Sequence, residues 1–436
     1  MAPELIDPAD NLTRQRCMAG GLRRAGLRSG DRVALLVPPS GDLLAVVLGA
    51  LRTGIIPVIG DPQLPARERA ELLDDAAPDL VVATHADLAG LLTGSPVDLA
   101  DVPLGRPMYY TSGTTGRRKG VYSGLLDQAE ATALLDEETA LWSFGPDDLH
   151  LLLSPLHHSA PLRFASHTLM AGGRVLLAGK FDASTAYRLI ERHRPTTTFC
   201  VPTQLRRLRA MAGEEWPELS SFRLVAHAGE HCPELVKRWA VQALPAGSVY
   251  EFYGSTEGQF TVCSTDEWRE RPTTVGRARP GRSLSTDDDG TIWCRAPRHA
   301  RFSYWRDPDR TARAWRGDSF TVGDVGRLDD AGYLYLDGRR EDLVITGGVN
   351  VYPREVERVL ADCPGVVEVA VFGVPDDEWG QRLCAAVSGP VTARVLAEYA
   401  RAHLAPPKRP KTYLPVAVLP RTATGKVRRT DLAGLM

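Results

Sequence analysis

The stretch DRVALLVP (31–38), SGDLLAVVLGALRTG (40–54), IIPVIGDP (55–62), LPARERAELLDDAAP (64–78) and DLVVATH (79–85) alternates short apolar runs with segments of helical spacing. The apolar runs lack polar alternation, the pattern of strands buried on both faces. Ser40 is placed to cap the first helix, and Pro65 falls near the first turn of the second. Strand, helix, strand in this order implies a parallel sheet with helices packed on it.

Working outward, a second round begins near Gly173: RVLLAG (174–179), the helical DASTAYRLIERHRP (182–195), TTTFCVP (196–202), FRLVAHAGE (222–230) and PELVKRWAVQALP (233–245). Two layered α/β subdomains follow from this repetition of order. After Tyr250 the runs shorten and turn residues multiply, ending in the hairpin-like GRLDDAGYLYLDGR (326–339), so a small β-rich subdomain is expected. Beyond Glu341, DLVITGG, REVERVLADC, VEVAVFGVP, LCAAVSG and ARVLAEYARAHL read as a separate α+β lobe of domain size.

The 436 residues leave ample chain for a buried core, at ~100–200 residues per domain. The 52 basic and 54 acidic residues give a net charge of −2, so no global field exists to hold nucleic acid or an anionic membrane. The seven cysteines (17, 200, 232, 263, 294, 363, 384) are scattered and never spaced as C-x-x-C, which favours a reducing cytoplasm over a disulfide or zinc framework. The acidic start MAPELIDPADN carries no signal-peptide pattern, and no apolar run approaches the ~18 residues of a membrane span.

Chemistry concentrates in four segments. YTSGTTGRRKG (110–120) places hydroxyls, glycines and Lys119 in one loop after an apolar strand. Glycines let the backbone approach an anion, and hydroxyls, amides and Lys119 can then hold phosphate oxygens. The loop is not G-x-x-x-x-G-K-[ST], which occurs nowhere in the chain. YGSTEG (253–258) joins an aromatic, a hydroxyl and a carboxylate at a strand end, where α/β sheets place ligands. GDVGRLDDAGYLYLDGRREDLVITGG (323–348) supplies Asp324, Arg339 and a Gly-Gly turn, and PRTATGKVRR (420–429) supplies Lys426.

In these segments, and in their order, the chain resembles the adenylate-forming superfamily of acyl- and aryl-CoA synthetases, peptide adenylation domains and luciferases, from about Asp31 to Arg429. The resemblance implies a body over 1–338, a hinge over 339–342 with Glu341 at its pivot, and a mobile lobe over 343–436. It makes Thr111, Ser112, Gly113, Thr114, Thr115 and Lys119 the phosphate loop and Gly229 with Glu230 the adenine-side turn. Tyr253 becomes the adenine-stacking residue beside Gly254, and Thr256 an α-phosphate donor. It makes Glu257 the Mg²⁺ ligand, Asp324 and Arg339 the ribose readers, and Lys426 the catalytic lysine.

The implied reaction joins ATP to a carboxylic acid as an acyl-adenylate with loss of pyrophosphate, then passes the acyl group to CoA. His158 matches a gate residue, and Phe252, Gly254, Gln259 and Phe260 match acyl-pocket positions, which suit an aryl or short acyl group. Phe252 and Phe260 are equally readable as plain core. Glu230 is read first as structural, and alternatively as a partner, with Gln259, for a polar substituent on the acid. Gly347 and Gly348 match the thiol tunnel, and Trp379 and Arg409 match CoA contacts, although Pro407 stands where an aromatic is common. Transfer to a carrier protein, activation of an oxyanion such as nitrite, and a nucleotide-binding regulator without turnover stay open as alternatives.

Overall fold

The computed structural model describes residues 3–111, 119–212, 218–339, 342–421 and 427–436. Two mixed sheets carry the α/β layers. The first has six strands in the order Ser303–Tyr304, Lys119–Tyr122, Met108–Thr111, Ile56–Ile59, Arg32–Leu35 and Leu80–Val82. Its strands from Met108–Thr111 to Leu80–Val82 run parallel, as the unbroken apolar runs require. Helix Gly41–Leu51 buries nearly every side chain, and the Ser40 hydroxyl accepts from the Leu43 amide at 3.1 Å.

The second sheet has eight strands, with a parallel centre formed by Arg174–Leu177, Leu149–Leu152, Thr197–Cys200, Leu224–His227 and Val249–Gly254. Strand Gln259–Ser264 returns antiparallel beside Val249–Gly254, and the turn between them holds the YGSTEG segment. At the other edge, Glu4–Ile6 pairs antiparallel with Arg174–Leu177.

That edge strand and the helix Pro8–Arg24 behind it were not expected from the sequence. The helix is polar overall, but Gly20 and Gly21 let it approach the segment near Ser95, where a Cβ on Gly20 would stand 1.9 Å from the Ser95 carbonyl oxygen. Its buried amides are satisfied: Asn11 donates to the Gly41 carbonyl at 3.2 Å, and Gln15 donates to Asn11 at 2.9 Å.

The β-rich part contains a four-stranded sheet (Ser283–Thr286, Ile292–Arg295, Ser319–Phe320, Trp315–Arg316) and the hairpin of Asp324–Leu328 with Leu334–Arg339. The C-terminal part is one five-stranded sheet under two helices, Pro353–Ala361 and Ala393–His403, with its own apolar core around Val356, Val371 and Leu396. It touches the body through Arg206, which donates to the Val367 carbonyl and pairs with Glu368. Among the described residues no helix is long and apolar enough to cross a membrane, and all seven cysteines are free thiols.

Candidate active site

The site is built at the strand end where Val249–Gly254 turns into Gln259–Ser264. A register shift between Tyr253 and Gly254 interrupts the ladder where the turn begins. Tyr253 lies buried with its ring 4.7 Å from that of Phe260, and its hydroxyl donates to Asp324 Oδ2 at 2.5 Å. Burial raises the Tyr253 pKa well above the ordinary value and the Asp324 charge adds to this, so the phenol stays protonated and donating. Asp324 faces Arg339 across its hairpin and accepts from Arg339 Nε at 2.9 Å. Burial alone would lower the Arg339 pKa, but the Asp324 charge raises it. The expected ribose pair is therefore assembled, with Tyr253 attached to it.

Glu257 is buried beneath the same turn. Tyr304 donates to its Oε1 at 2.9 Å, Lys119 Nζ lies 3.6 Å from that oxygen, and the Glu257 amide donates to Ser255 at 3.2 Å. Burial alone would raise the Glu257 pKa, but the Lys119 charge brings it below the ordinary value, so the group is a carboxylate at neutral pH. One buried carboxylate beside the phosphate loop's cation is the donor that Mg²⁺ takes when it shares its shell with substrate phosphates. The residues fit that ion, and among the described residues no cluster of three or more acidic, His or Cys side chains offers another site.

Lys119 starts the strand antiparallel to Met108–Thr111, so the phosphate loop spans a hairpin, with Thr111 and Lys119 paired across its base. The Thr111 hydroxyl is buried and has no partner among the described residues. Ser112, Gly113, Thr114 and Thr115 lie outside the described residues, as do Glu341 and Lys426. Arg421 and Val427 form a bridge that brackets the lysine segment, and Arg421 pairs with Glu368 at 2.6 Å. Thr256 is half-buried in the turn beside Glu257.

On the acyl side, His158 is the N-cap of helix Ser159–Met170 and stacks against His157 at 4.5 Å between ring centres. Gln259 accepts from Arg163 at 3.3 Å, and its side chain lies where a Cβ on Gly254 would reach, 2.8 Å from Gln259 Oε1. Phe252 packs in an aromatic cluster with Trp142, Phe164 and Phe199. Phe260 is fully enclosed between Tyr253 and Phe320, where it backs the tyrosine ring as core. Gly229 has φ +99°, the left-handed conformation that glycine takes without strain, and it turns the chain into Glu230. The Glu230 carboxylate accepts from the Thr203 amide at 2.7 Å at the start of helix Pro202–Ala212, which is the structural role.

In the C-terminal part, Gly347 and Gly348 are exposed and both have positive φ; the Trp379 ring edge closes on Gly347. Lys411 Nζ lies 4.5 Å from the centre of the Trp379 ring. Arg409 donates to the Leu404 and Arg401 carbonyls at 2.8 and 3.1 Å, so part of its donor set is already used within the lobe.

Sequence reasoning missed Tyr304 and Arg163. The signal for Tyr304 was the aromatic pair in FSYWRDP (302–308); the signal for Arg163 was a cation within the apolar SPLHHSAPLRF (154–164), five residues after the gate histidine.

An AMP-binding enzyme family model matches residues 9–102 and 107–295, and an AMP-binding enzyme C-terminal domain model matches 355–426. Long-chain-fatty-acid–CoA ligase FadD13 of Mycobacterium tuberculosis is 31% identical over 97% of this chain and 91% of its own. Indoleacetate–CoA ligase of Aromatoleum aromaticum is 30% identical over 96% and 91%. Among solved structures, o-succinylbenzoate CoA synthetase MenE from Bacillus subtilis, with its acyl-adenylate intermediate, superimposes with a TM-score of 0.86 at 25% identity over 97% of this chain and 92% of that one. Amide bond synthetase McbA from Marinactinospora thermotolerans gives 0.85 at 28% identity over 98% and 94%. With matches across both its large and small parts and the assembled Asp324–Arg339 and Glu257–Lys119 pairs, the chain belongs to the AMP-binding enzyme family and is an adenylate-forming, acyl-CoA synthetase-like ligase.

Proposed function

We propose that the protein activates an aryl or short-chain carboxylic acid with ATP and transfers the acyl group to CoA. The observation that carries this is the pairing of two acidic side chains with two cations, Glu257 beside Lys119 and Asp324 beside Arg339, each also held by a tyrosine hydroxyl. A nucleoside triphosphate needs both ends served, a diol reader and a cation-coordinating phosphate end.

In this reading Tyr253 stacks on adenine, Asp324 and Arg339 take the ribose hydroxyls, and Thr256 donates to the α-phosphate. The phosphate loop from Thr111 to Lys119 holds the departing pyrophosphate. Glu257 would hold Mg²⁺, which when bound neutralises phosphate charge. An oxygen of the acid attacks the α-phosphorus and the bond to pyrophosphate breaks, giving the acyl-adenylate. Lys426 lies beside the oxygens that gain charge in that step. The lobe over 343–436 then turns about 339–342, with Glu341 as pivot, and brings Gly347 and Gly348 to the site. The thiol sulfur attacks the acyl carbon and AMP leaves. Repulsion between two anions makes positioning and charge neutralisation the main catalytic needs.

The test is pyrophosphate release across a panel of carboxylates, with and without CoA. Lys426→Ala is expected to lower adenylation by ~10²–10³ while a preformed adenylate is still converted to thioester. Undiminished pyrophosphate exchange in that variant refutes its role. Release with nitrite and an arylamine, but with no carboxylate, refutes the acid.

A further inference from the structure

A second group of charged side chains lies on the acyl side of Phe252. Arg163 Nη2 reaches Gln259, and its guanidinium carbon stands 5.5 Å from the centre of the Phe252 ring, so its head faces two of the positions proposed to surround the acid. Behind it, Arg279 contacts Glu138 at 2.7 Å and Glu137 at 3.1 Å, and Arg282 contacts Glu137 at 2.5 Å. Arg106 is buried in the field of Arg282 and Arg163, and burial with that repulsion lowers its pKa to about 10.

Three guanidinium groups thus share two carboxylates, while Arg106 donates to the Ala300 and Arg301 carbonyls beside them. His299 also bonds Glu137, at 2.9 Å, and adds no negative charge. Nitrogens of all four arginines are buried without a hydrogen-bond partner among the described residues. An excess of buried cations is costly unless an anion completes it. Arg163 is the member that can receive one: its side chain keeps 17% exposure while that of Arg279 has 0%. Its Nε pairs with Glu138 Oε2 at 3.3 Å, and the same carboxylate also serves Arg279, so one glutamate is divided between two arginines.

We propose that the acid activated here carries a second carboxylate, bound by Arg163, so that the substrate is a dicarboxylic acid adenylated at one end. This deepens the adenylation reading and rests on it. The planar guanidinium matches a carboxylate in two-point contact, and the Phe252 ring beside it is apolar. A neutral acyl chain would dehydrate Arg163 and give it nothing in return; a cationic one would be repelled.

The test compares pyrophosphate release for matched pairs: hexanoate with adipate, octanoate with suberate, and 4-phenylbutanoate with its para-carboxylate. The wild-type protein should favour the diacid of at least one pair by about 10²-fold in kcat/KM. Arg163→Leu should collapse that ratio by a similar factor, and Arg163→Lys should restore part of it. Equal or better turnover of every monoacid by the wild type overturns the inference without touching adenylation. A parallel loss for both acids in Arg163→Leu, with the ratio unchanged, makes the residue structural and overturns it too. If no acid of either kind releases pyrophosphate, the adenylation reading itself falls and takes this one with it. The wild-type ratio needs no variant to fold.

Discussion

The two charge clusters flanking the Tyr253 strand are balanced differently. On the nucleotide side, Lys119 and Arg339 stand against Glu257 and Asp324, two charges of each sign. On the acyl side, Arg163, Arg279 and Arg282 share Glu137 and Glu138, with Arg106 in their field. A balanced cluster holds its shape before a ligand arrives. An overcharged one keeps a site whose last partner comes from outside, at the expense of stability.

The largest expected effect tests that contrast directly. Glu138→Gln removes the main counter-charge of Arg279 and should destabilise the fold by ~3–5 kcal/mol in urea unfolding, as breaking a buried ion pair does. Arg163→Leu should cost less than half of that, because it relieves repulsion. Equal losses would mean that the cluster is not overcharged.

On the balanced side, Tyr304→Phe removes one neutral donor from Glu257 and should cost ~1.5–3 kcal/mol of interaction. Its more specific sign is in the rate profile. The Tyr304 hydrogen bond helps to hold the Glu257 pKa down, so its loss should move the acid limb of pyrophosphate release to higher pH. An unmoved limb would detach Glu257 from the rate.

A further effect is on pH and stability. His167 packs beside the acyl cluster, and its Nδ1 is buried without a partner among the described residues. Burial lowers its pKa to about 4, with Glu138 opposing the shift and Arg163 and Arg279 adding to it. The unfolded ring takes a proton below its ordinary value of 6.5 while the folded ring resists, so stability should fall as pH drops from about 6.5 to about 4. The slope due to this group is at most ~1.4 kcal/mol per pH unit, and His167→Gln should flatten the curve by that amount.

The parallel strands of both rounds and the Ser40 cap were legible because apolar run length and capping chemistry are local. Helix Pro8–Arg24 was not, since Asn11 and Gln15 are buried by mutual hydrogen bonds and break the apolar period. Asp324 and Arg339 were legible as a pair because a hairpin joins them. Tyr304 was not, because its partner Glu257 lies in the turn between two strands of a different sheet.

Sequence alone therefore determined the order of α/β layers, the YGSTEG turn and the two-part division, all of which are written in contiguous residues. Tertiary structure decided which carboxylate meets which cation. Glu230 is spent on the Thr203 amide, Glu257 on Tyr304 and Lys119, and Arg163 is left facing the acid pocket short of a counter-charge. The physical reason is that charge balance is a property of a volume: residues 106, 138, 163, 279 and 282 enter one another's field only when helices and strands far apart in the chain enclose the same space.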